Sequence, residues 1–404
     1  MKIASRHPIL LPKNADMRKW AVIACDQYTT DYDYWQTLDS YVGSSPSTLR
    51  LIFPEIYLSG DRDKRIGEIN STMKQYLCNG IFEEKNCYVL TERTLSDGRK
   101  RIGLVFPVDL EAYDFNDEDA LIRPTEQTIR ERLPVRIHIR ENAPLELPHI
   151  LLLADDEEKS IIEPLYAKTS RLEKLYDFDL NMNGGHIRGY AVPYEDVPFS
   201  AFDRLLSHSL QEKKYGKNAQ ILFAVGDGNH SMATAKECWE KIKPSLTEEE
   251  RENHPARFAL IELLNVYDDA LDFLPIHRVV YGIEEDEFID GLRKELSGNK
   301  MLTIITKDDE TFIPSFGESD KTIIALQAYL EKMKEEKGVT IEYVHEEKQV
   351  RDGAKNGGIG ILMPSFPKKA LFNYVVNHGK LPKKAFSIGE EKTKKYYIEA
   401  KRIK

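Results

Sequence analysis

Cysteine is scarce in this chain, and its placement excludes more than it offers. The four cysteines among 404 residues, Cys25, Cys78, Cys87 and Cys238, show no C-x-x-C spacing, so neither a zinc ribbon nor a disulfide framework is indicated. Long Lys/Arg runs are missing too, and the formal net charge is -10 with a pI near 5.6. That balance lacks the basic face that phosphate-backbone contacts need, which argues against nucleic acid as the main ligand and against an anionic membrane surface. No window reaches the roughly 18 continuous apolar residues of a spanning helix, and residues 1–7 lack the apolar core of a signal peptide. The expectation is a cytoplasmic protein. Repeats, low-complexity tracts and Gly/Ser linkers are also absent. The chain therefore reads as one compact unit, 1–404, with soft subdomains: a strand-helix and hairpin region at 1–110, a core at 111–283 and a peripheral layer at 284–404.

Several phosphate and hydrolase motifs are missing. There is no GxxxxGK[ST], HExxH, GxSxG, HRD or DFG, and Gly357-Gly358-Ile359-Gly360 lacks the third glycine and the helix of a dinucleotide fingerprint. These absences remove P-loop, zincin, α/β-hydrolase and protein-kinase readings.

What is present is a well-provided core, with 41% hydrophobic and 31% charged residues, arranged as alternating strand and helix signals that predict a mixed α/β fold. Residues 20–25 read as a buried strand leading into the polar turn Asp26-Gln27-Tyr28 and an aromatic-rich helix. Residues 87–95 and 101–108 read as strands joined at Asp97-Gly98. Pro124 is expected at the first position of a helix, with a capping box over 128–131. Residues 149–154 form a buried strand ending on Asp155-Asp156, and 160–176 reads as helical. A strand headed by His277-Arg278 follows an apolar run at 258–266, and a basic tail closes the chain from Lys380 to Lys404.

The most informative stretch is Ile221 to Ala235. Apolar residues up to Val225 run as a buried strand, Gly226 and Gly228 mark a turn, and Met232, Ala235 and Trp239 recur at helical spacing. A helix opening directly from a strand turns unpaired N–H groups and a positive dipole end outward, which suits phosphate or carboxylate. The plain alternative is an ordinary cap, since Asn229 and Ser231 are common cap residues and Asp-Gly a common turn. His230, set between them, favours a site. In the segment 123–128, Glu126 has the chemistry of a general base, while Arg123, with Thr128, offers groups for a carboxylate or phosphate. There the alternative is a first-turn carboxylate and a solvated arginine. His277 and Arg278 offer a further anion-binding pair, or a core histidine and its neighbour. Cys25 is read as a small thiol beside the candidate site.

The turn Asp227-Gly228-Asn229-His230-Ser231, followed by Ala235, resembles the "DGHHR, then Ala" box of ParB-like nucleotide-binding proteins and free-serine kinases. Together with the segments 123–128, 143–156, 274–278 and 381–389, it is similar to a bacterial family of about 400 residues long catalogued only as a domain of unknown function. The resemblance implies a ParB-like nucleotide-binding core, a mixed sheet flanked by helices and peripheral layers. It also implies an ATP-dependent kinase that converts free L-serine to O-phospho-L-serine with Mg²⁺. This chain departs from the box at two positions, Asn229 in place of a second histidine and Ser231 in place of an arginine. On this reading Asp227 and His230 match the box, with Asp227 also the metal ligand, and Gly228, Asn229 and Ser231 hold phosphate. Glu126 is assigned as the base by inference, and Arg123, Thr128, His277 and Arg278 contact the substrate. Two alternatives stand beside it: a non-catalytic ParB-like nucleotide switch, and a metal-dependent phosphohydrolase built on Asp26, Asp227 and His230.

Overall fold

A computed structural model describes residues 3–117 and 119–404, without the side chain of residue 132. The chain divides into two compact units, each with a sheet of its own. The first holds the residues up to Leu271, together with Val375–Gly379 and Glu391–Lys404, and the second holds Asp272–Tyr374 and Lys380–Glu390. Where the sequence reading places soft boundaries near 110 and 283, the change of unit falls at Leu271, and the chain then returns twice to the first unit.

The first unit is built on an eight-stranded mixed sheet. In chain order its strands are β1 (Tyr88–Thr94), β2 (Lys100–Asp109), β3 (Ile122–Pro124), β4 (Ile150–Ala154), β5 (Lys174–Asp179), β6 (His186–Val192), β7 (Phe223–Asp227) and β8 (Phe258–Asn265). In space they run β3-β7-β4-β8-β2-β1-β6-β5. β3 pairs parallel with β7, and β4 with β8, while the remaining neighbours are antiparallel. The apolar runs of the sequence follow from this position. Along β2, Leu104 and Phe106 face one core and Val105 the other, so alternate residues are buried on opposite faces and the strand reads as continuously apolar.

Four helices of the first unit matter for the site: α1 (Tyr32–Val42), α2 (Arg62–Cys78), α3 (Leu133–Glu141) and α4 (Asn229–Ile242). α4 buries Met232, Ala235 and Trp239 completely or nearly so, the face set by their spacing, and α3 packs against it.

Several local expectations change. Pro124 ends strand β3 rather than opening a helix. β3 lies at the sheet edge, where a residue without an N–H is tolerated. No capping box forms at 128–131, because a short 3-10 turn at Arg130–Arg132 precedes α3. Residues 160–176 form two short helical turns and then β5. The strand expected at 20–25 is reduced to Val22–Ile23, paired with Tyr396–Tyr397.

The C-terminal lysines differ most from a solvated tail. Lys394, Lys395 and Lys401 are all buried in the first unit. Lys395 reaches Glu262 of β8 at 2.9 Å and Glu399 at 3.5 Å, and Lys401 reaches Glu146 at 3.2 Å. Burial pushes the Lys401 ammonium down to about 8, even with Glu146 beside it.

The second unit carries a five-stranded antiparallel sheet of β9 (His277–Tyr281), β10 (Lys300–Ile305), β11 (Glu310–Ser315), β12 (Thr340–Val344) and β13 (Ile359–Leu362), in the order β11-β10-β13-β9-β12. Helices α5 (Glu285–Glu295) and α6 (Ser319–Lys337) pack on each other. α7 (Glu347–Lys355) seats Val350 and Ala354 against Ile305. Among the described residues, no helix is long and apolar enough to cross a membrane.

Candidate functional site

The junction of β7 and α4 is tight because Gly228 takes a left-handed conformation, φ 78°. A Cβ there would lie 3.1 Å from the His149 carbonyl oxygen and 3.1 Å from the Ile150 Cα, so only glycine fits without displacement. The turn is thereby held against the entry to β4. No side chain caps the first turn of α4. Asn229 instead turns sideways, its Oδ1 accepting from the Thr125 N–H at 3.2 Å, while the Thr125 hydroxyl donates to the Val225 carbonyl at 2.6 Å. One loop further on, the Ile129 N–H donates to His230 Nε2 at 3.2 Å. The loop that carries Glu126 is therefore fastened on both sides to the start of α4, with Glu126 half-buried on it.

Asp227 is anchored from both of its oxygens. Its Oδ1 accepts from the Gly228 N–H at 2.8 Å, and its Oδ2 pairs with the Lys394 ammonium at 3.1 Å. Lys394 also bears on Asp26, whose carboxylate it helps to hold down. The polar corner after Val22–Ile23 lies beside the turn through His149, whose ring comes within 3.2 Å of a Cβ placed at Gly228 and holds Asp26.

Around Asp26 the polar groups form a chain. His149 Nε2 lies 3.1 Å from Asp26 Oδ2, its Nδ1 lies 2.5 Å from the Tyr397 hydroxyl, and that hydroxyl donates to Cys25 Sγ at 3.3 Å. The Cys25 N–H donates to the Tyr397 oxygen at 3.2 Å, and Gln27 donates to Asp26 Oδ1 at 2.8 Å. Burial alone would push Asp26 up, but the charge and hydrogen bond of His149 outweigh it and hold the carboxyl far below its usual range. Burial would likewise lower His149, yet Tyr397 and Asp26 raise it well above its ordinary value. With an imidazolium, both ring N–H groups donate, and the Tyr397 O–H remains to donate to sulfur. The His149 and Tyr397 protons then each have an acceptor.

The sequence marks the acid and amide groups of the Asp26 corner, but not His149, Tyr397 or Lys394 as parts of a site. Lys394 and Tyr397 sat in an apparent basic tail, and nothing in their neighbours in sequence marks them.

Two other assignments are corrected. Arg123 is buried and directs its Nε to the Ala120 carbonyl at 3.0 Å and an Nη to the Ala219 carbonyl, so it ties together the segments entering β3 and β7 rather than presenting a fork to a ligand. Arg278 is fully buried in the second unit, donating to Gln327 Oε1, to the Lys384 carbonyl at 2.8 Å and to the Ile276 carbonyl, with its guanidinium 4.6 Å from the Tyr343 ring centre. Its neighbour His277 accepts from the Met363 N–H at 3.0 Å, and burial lowers its pKa. Both arginines carry out structural work. Thr128 is buried, with its hydroxyl facing the Tyr113 phenol. Ser231, half-buried, occupies the first turn of α4.

The residues do not build a Mg²⁺ cage. Asp227 already serves an ammonium and an N–H, and among the described residues no group of three or more His, Cys, Asp and Glu side chains is arranged to hold a metal ion. All four cysteines are free thiols.

Among solved structures, a free serine kinase in complex with AMP is similar at 13% identity and a TM-score of 0.39, over 74% of this chain and 92% of its own. A conserved hypothetical protein from Pyrococcus furiosus is similar at 11% identity and 0.36, over 73% and 90%. SbnI with a C-terminal truncation, from Staphylococcus aureus, is similar at 10% identity and 0.37, over 70% and 82%. No curated protein matches the chain by sequence. The family described as protein of unknown function DUF1015 matches residues 8–355, and the chain belongs to it.

Proposed function

We propose that the chain is a small-molecule kinase, moving a phosphoryl group from ATP to the hydroxyl of free L-serine to give O-phospho-L-serine and ADP. The observation that carries this reading is the ion pair of Lys394 with Asp227 at one uncapped helix start, beside the His149 ring that holds Asp26. Phosphoryl transfer asks for little covalent chemistry from a protein; it asks for positioning and charge neutralisation. The N–H groups at the start of α4 and the Lys394 ammonium supply the positive field for the moving group. On this reading Lys394 supplies a cation to a turn in which Ser231 offers none. The serine acceptor rests on the resemblance of the Asp227 turn to that box.

In the transfer, the serine Oγ forms the new P–O bond as the bond to the departing ADP breaks, and the hydroxyl proton goes to a carboxylate. Asp26, held as a stable anion by His149, is a weak base and suits orientation of the substrate ammonium or hydroxyl. Proton acceptance falls to Glu126, on the loop fastened to α4. Mg²⁺ arriving on the nucleotide would supply charge neutralisation.

Incubation with Mg-ATP and a panel of amino acids tests the reading. ADP and phosphoserine should appear together, and only with L-serine. Loss of ATP without a phosphorylated amino acid would instead identify a phosphohydrolase, and nucleotide binding without turnover a switch.

A further inference from the structure

The first unit contains a second cavity that the kinase reading does not use. It has a volume of about 490 Å³ and lies between α1, α2 and the segment 49–57. This size is typical of small-molecule sites, and it far exceeds what a serine side chain needs. Its floor is apolar, formed by Trp35, Leu49, Ile52 and Ile69.

Its polar wall is unusual in being charged yet incompletely paired. Arg50 and Asp39 are satisfied by each other at 2.5 Å, with Arg50 also donating to the Gly43 carbonyl at 2.8 Å. Arg65 and Glu68 lie one turn apart on α2 and line the same cavity, the spacing at which opposite charges usually meet. Neither makes an ion pair among the described residues. The Arg65 guanidinium stacks instead on the Tyr57 ring, 4.2 Å from its centre, with the Phe53 ring at 5.4 Å. Those stacks fix the plane of the fork and leave its N–H edge for a carboxylate.

We infer that this cavity is a binding site for a free α-amino acid with a large apolar side chain. The carboxylate takes Arg65, the ammonium takes Glu68, and the side chain lies on Trp35, Leu49, Ile52 and Ile69. Two arginines and two carboxylates in the wall cancel in formal charge, which favours a zwitterion over a phosphate or another net anion. The same walls hold the Asp26 corner: Trp35 Nε1 donates to the Tyr28 carbonyl at 3.1 Å, and the Glu55 N–H donates to the Cys25 carbonyl at 2.8 Å. An occupant therefore sits behind the turn that carries Asp26.

Isothermal calorimetry of the full chain with L-leucine, L-phenylalanine, L-serine, N-acetyl-leucine, leucinamide and inorganic phosphate tests this. Leucine or phenylalanine should bind and raise the thermal midpoint, and the acetylated and amidated analogues should each bind about tenfold or more weakly. L-serine in excess should not displace leucine. Arg65→Gln and Glu68→Gln should each weaken binding by about tenfold or more; Glu68 is solvent-exposed, so its variant retains the fold. The inference is overturned by an absence of heat and thermal shift with every amino acid, by analogues that bind as well as leucine, or by phosphate binding at Arg65 in their place.

Discussion

At the scale of single residues, His149 and Lys394 carry the sharpest consequences. Because His149 is raised and Asp26 lowered, their pair contributes fully between about pH 4 and 6.5, the unfolded values of the two groups. Its contribution is lost as pH falls below that window, through the folded value of Asp26, and as pH rises above it toward the raised value of His149. His149→Gln should therefore cost about 1–3 kcal/mol near pH 5.5. Thermal melts should show the gap to wild type narrowing as the buffer is taken up to pH 9. A gap that is constant across pH would mean that the imidazole contributes packing rather than charge. On the activity side, Asp227→Asn should lower kcat by orders of magnitude, while the loss of its ion pair with Lys394 lowers the thermal midpoint but leaves the chain folded at assay temperature. Lys394→Ala should lower kcat by about 10²-fold or more, with Lys394→Arg restoring part of the loss. Steady-state kinetics on the three variants checks both, and full activity in Asp227→Asn would remove the turn from the chemistry. Asp227 and His230 could be singled out from sequence because a strand period gives way to a helix period around two glycines. Lys394 could not, since its importance comes from a contact 167 positions away.

At the scale of elements, the β7–α4 junction depends on a backbone shape. Gly228→Ala forces a side chain into a left-handed conformation against the His149 carbonyl, and should cost about 1–3 kcal/mol in chemical denaturation. Activity should fall further than stability alone explains, because the start of α4 would move away from β4. A variant as stable as the wild type would show that the turn has room to adjust. The segment 122–131 shows why element type was harder to read than element existence. Arg-Pro-Thr-Glu fits a helix start by local preference, but Ile122 to Pro124 is drawn into the sheet edge by parallel pairing with β7, and the following loop is held by Asn229 and His230. Tertiary hydrogen bonds override a weak local signal.

At the scale of the whole molecule, the C-terminal residues close the first unit from beneath its sheet. Glu262, on the buried face of β8, accepts from the Thr91 hydroxyl at 2.7 Å and pairs with Lys395, while Tyr176 donates to Glu399. Burial raises the Glu262 pKa by itself, yet Lys395 and Arg101 bring it down to about 2. Removing the cation leaves two buried carboxylates without it. Lys395→Met should thus cost about 3–5 kcal/mol by urea unfolding, and adding Glu262→Gln should recover part of that loss. No recovery in the double variant would place the cost in packing alone.

The sequence by itself determined the local periods: which runs are strands buried on both faces, where the glycine turn opens α4, and that C-x-x-C spacing is absent. These are properties of neighbours along the chain, where side-chain alternation and backbone conformation act over a few residues. Only the tertiary structure decided that Arg123 and Arg278 are internal braces, that the closing lysines are buried, and that Asp26, His149, Tyr397 and Lys394 gather around Asp227. Charges and hydrogen bonds act through space, and their partners here lie 100 or more positions apart.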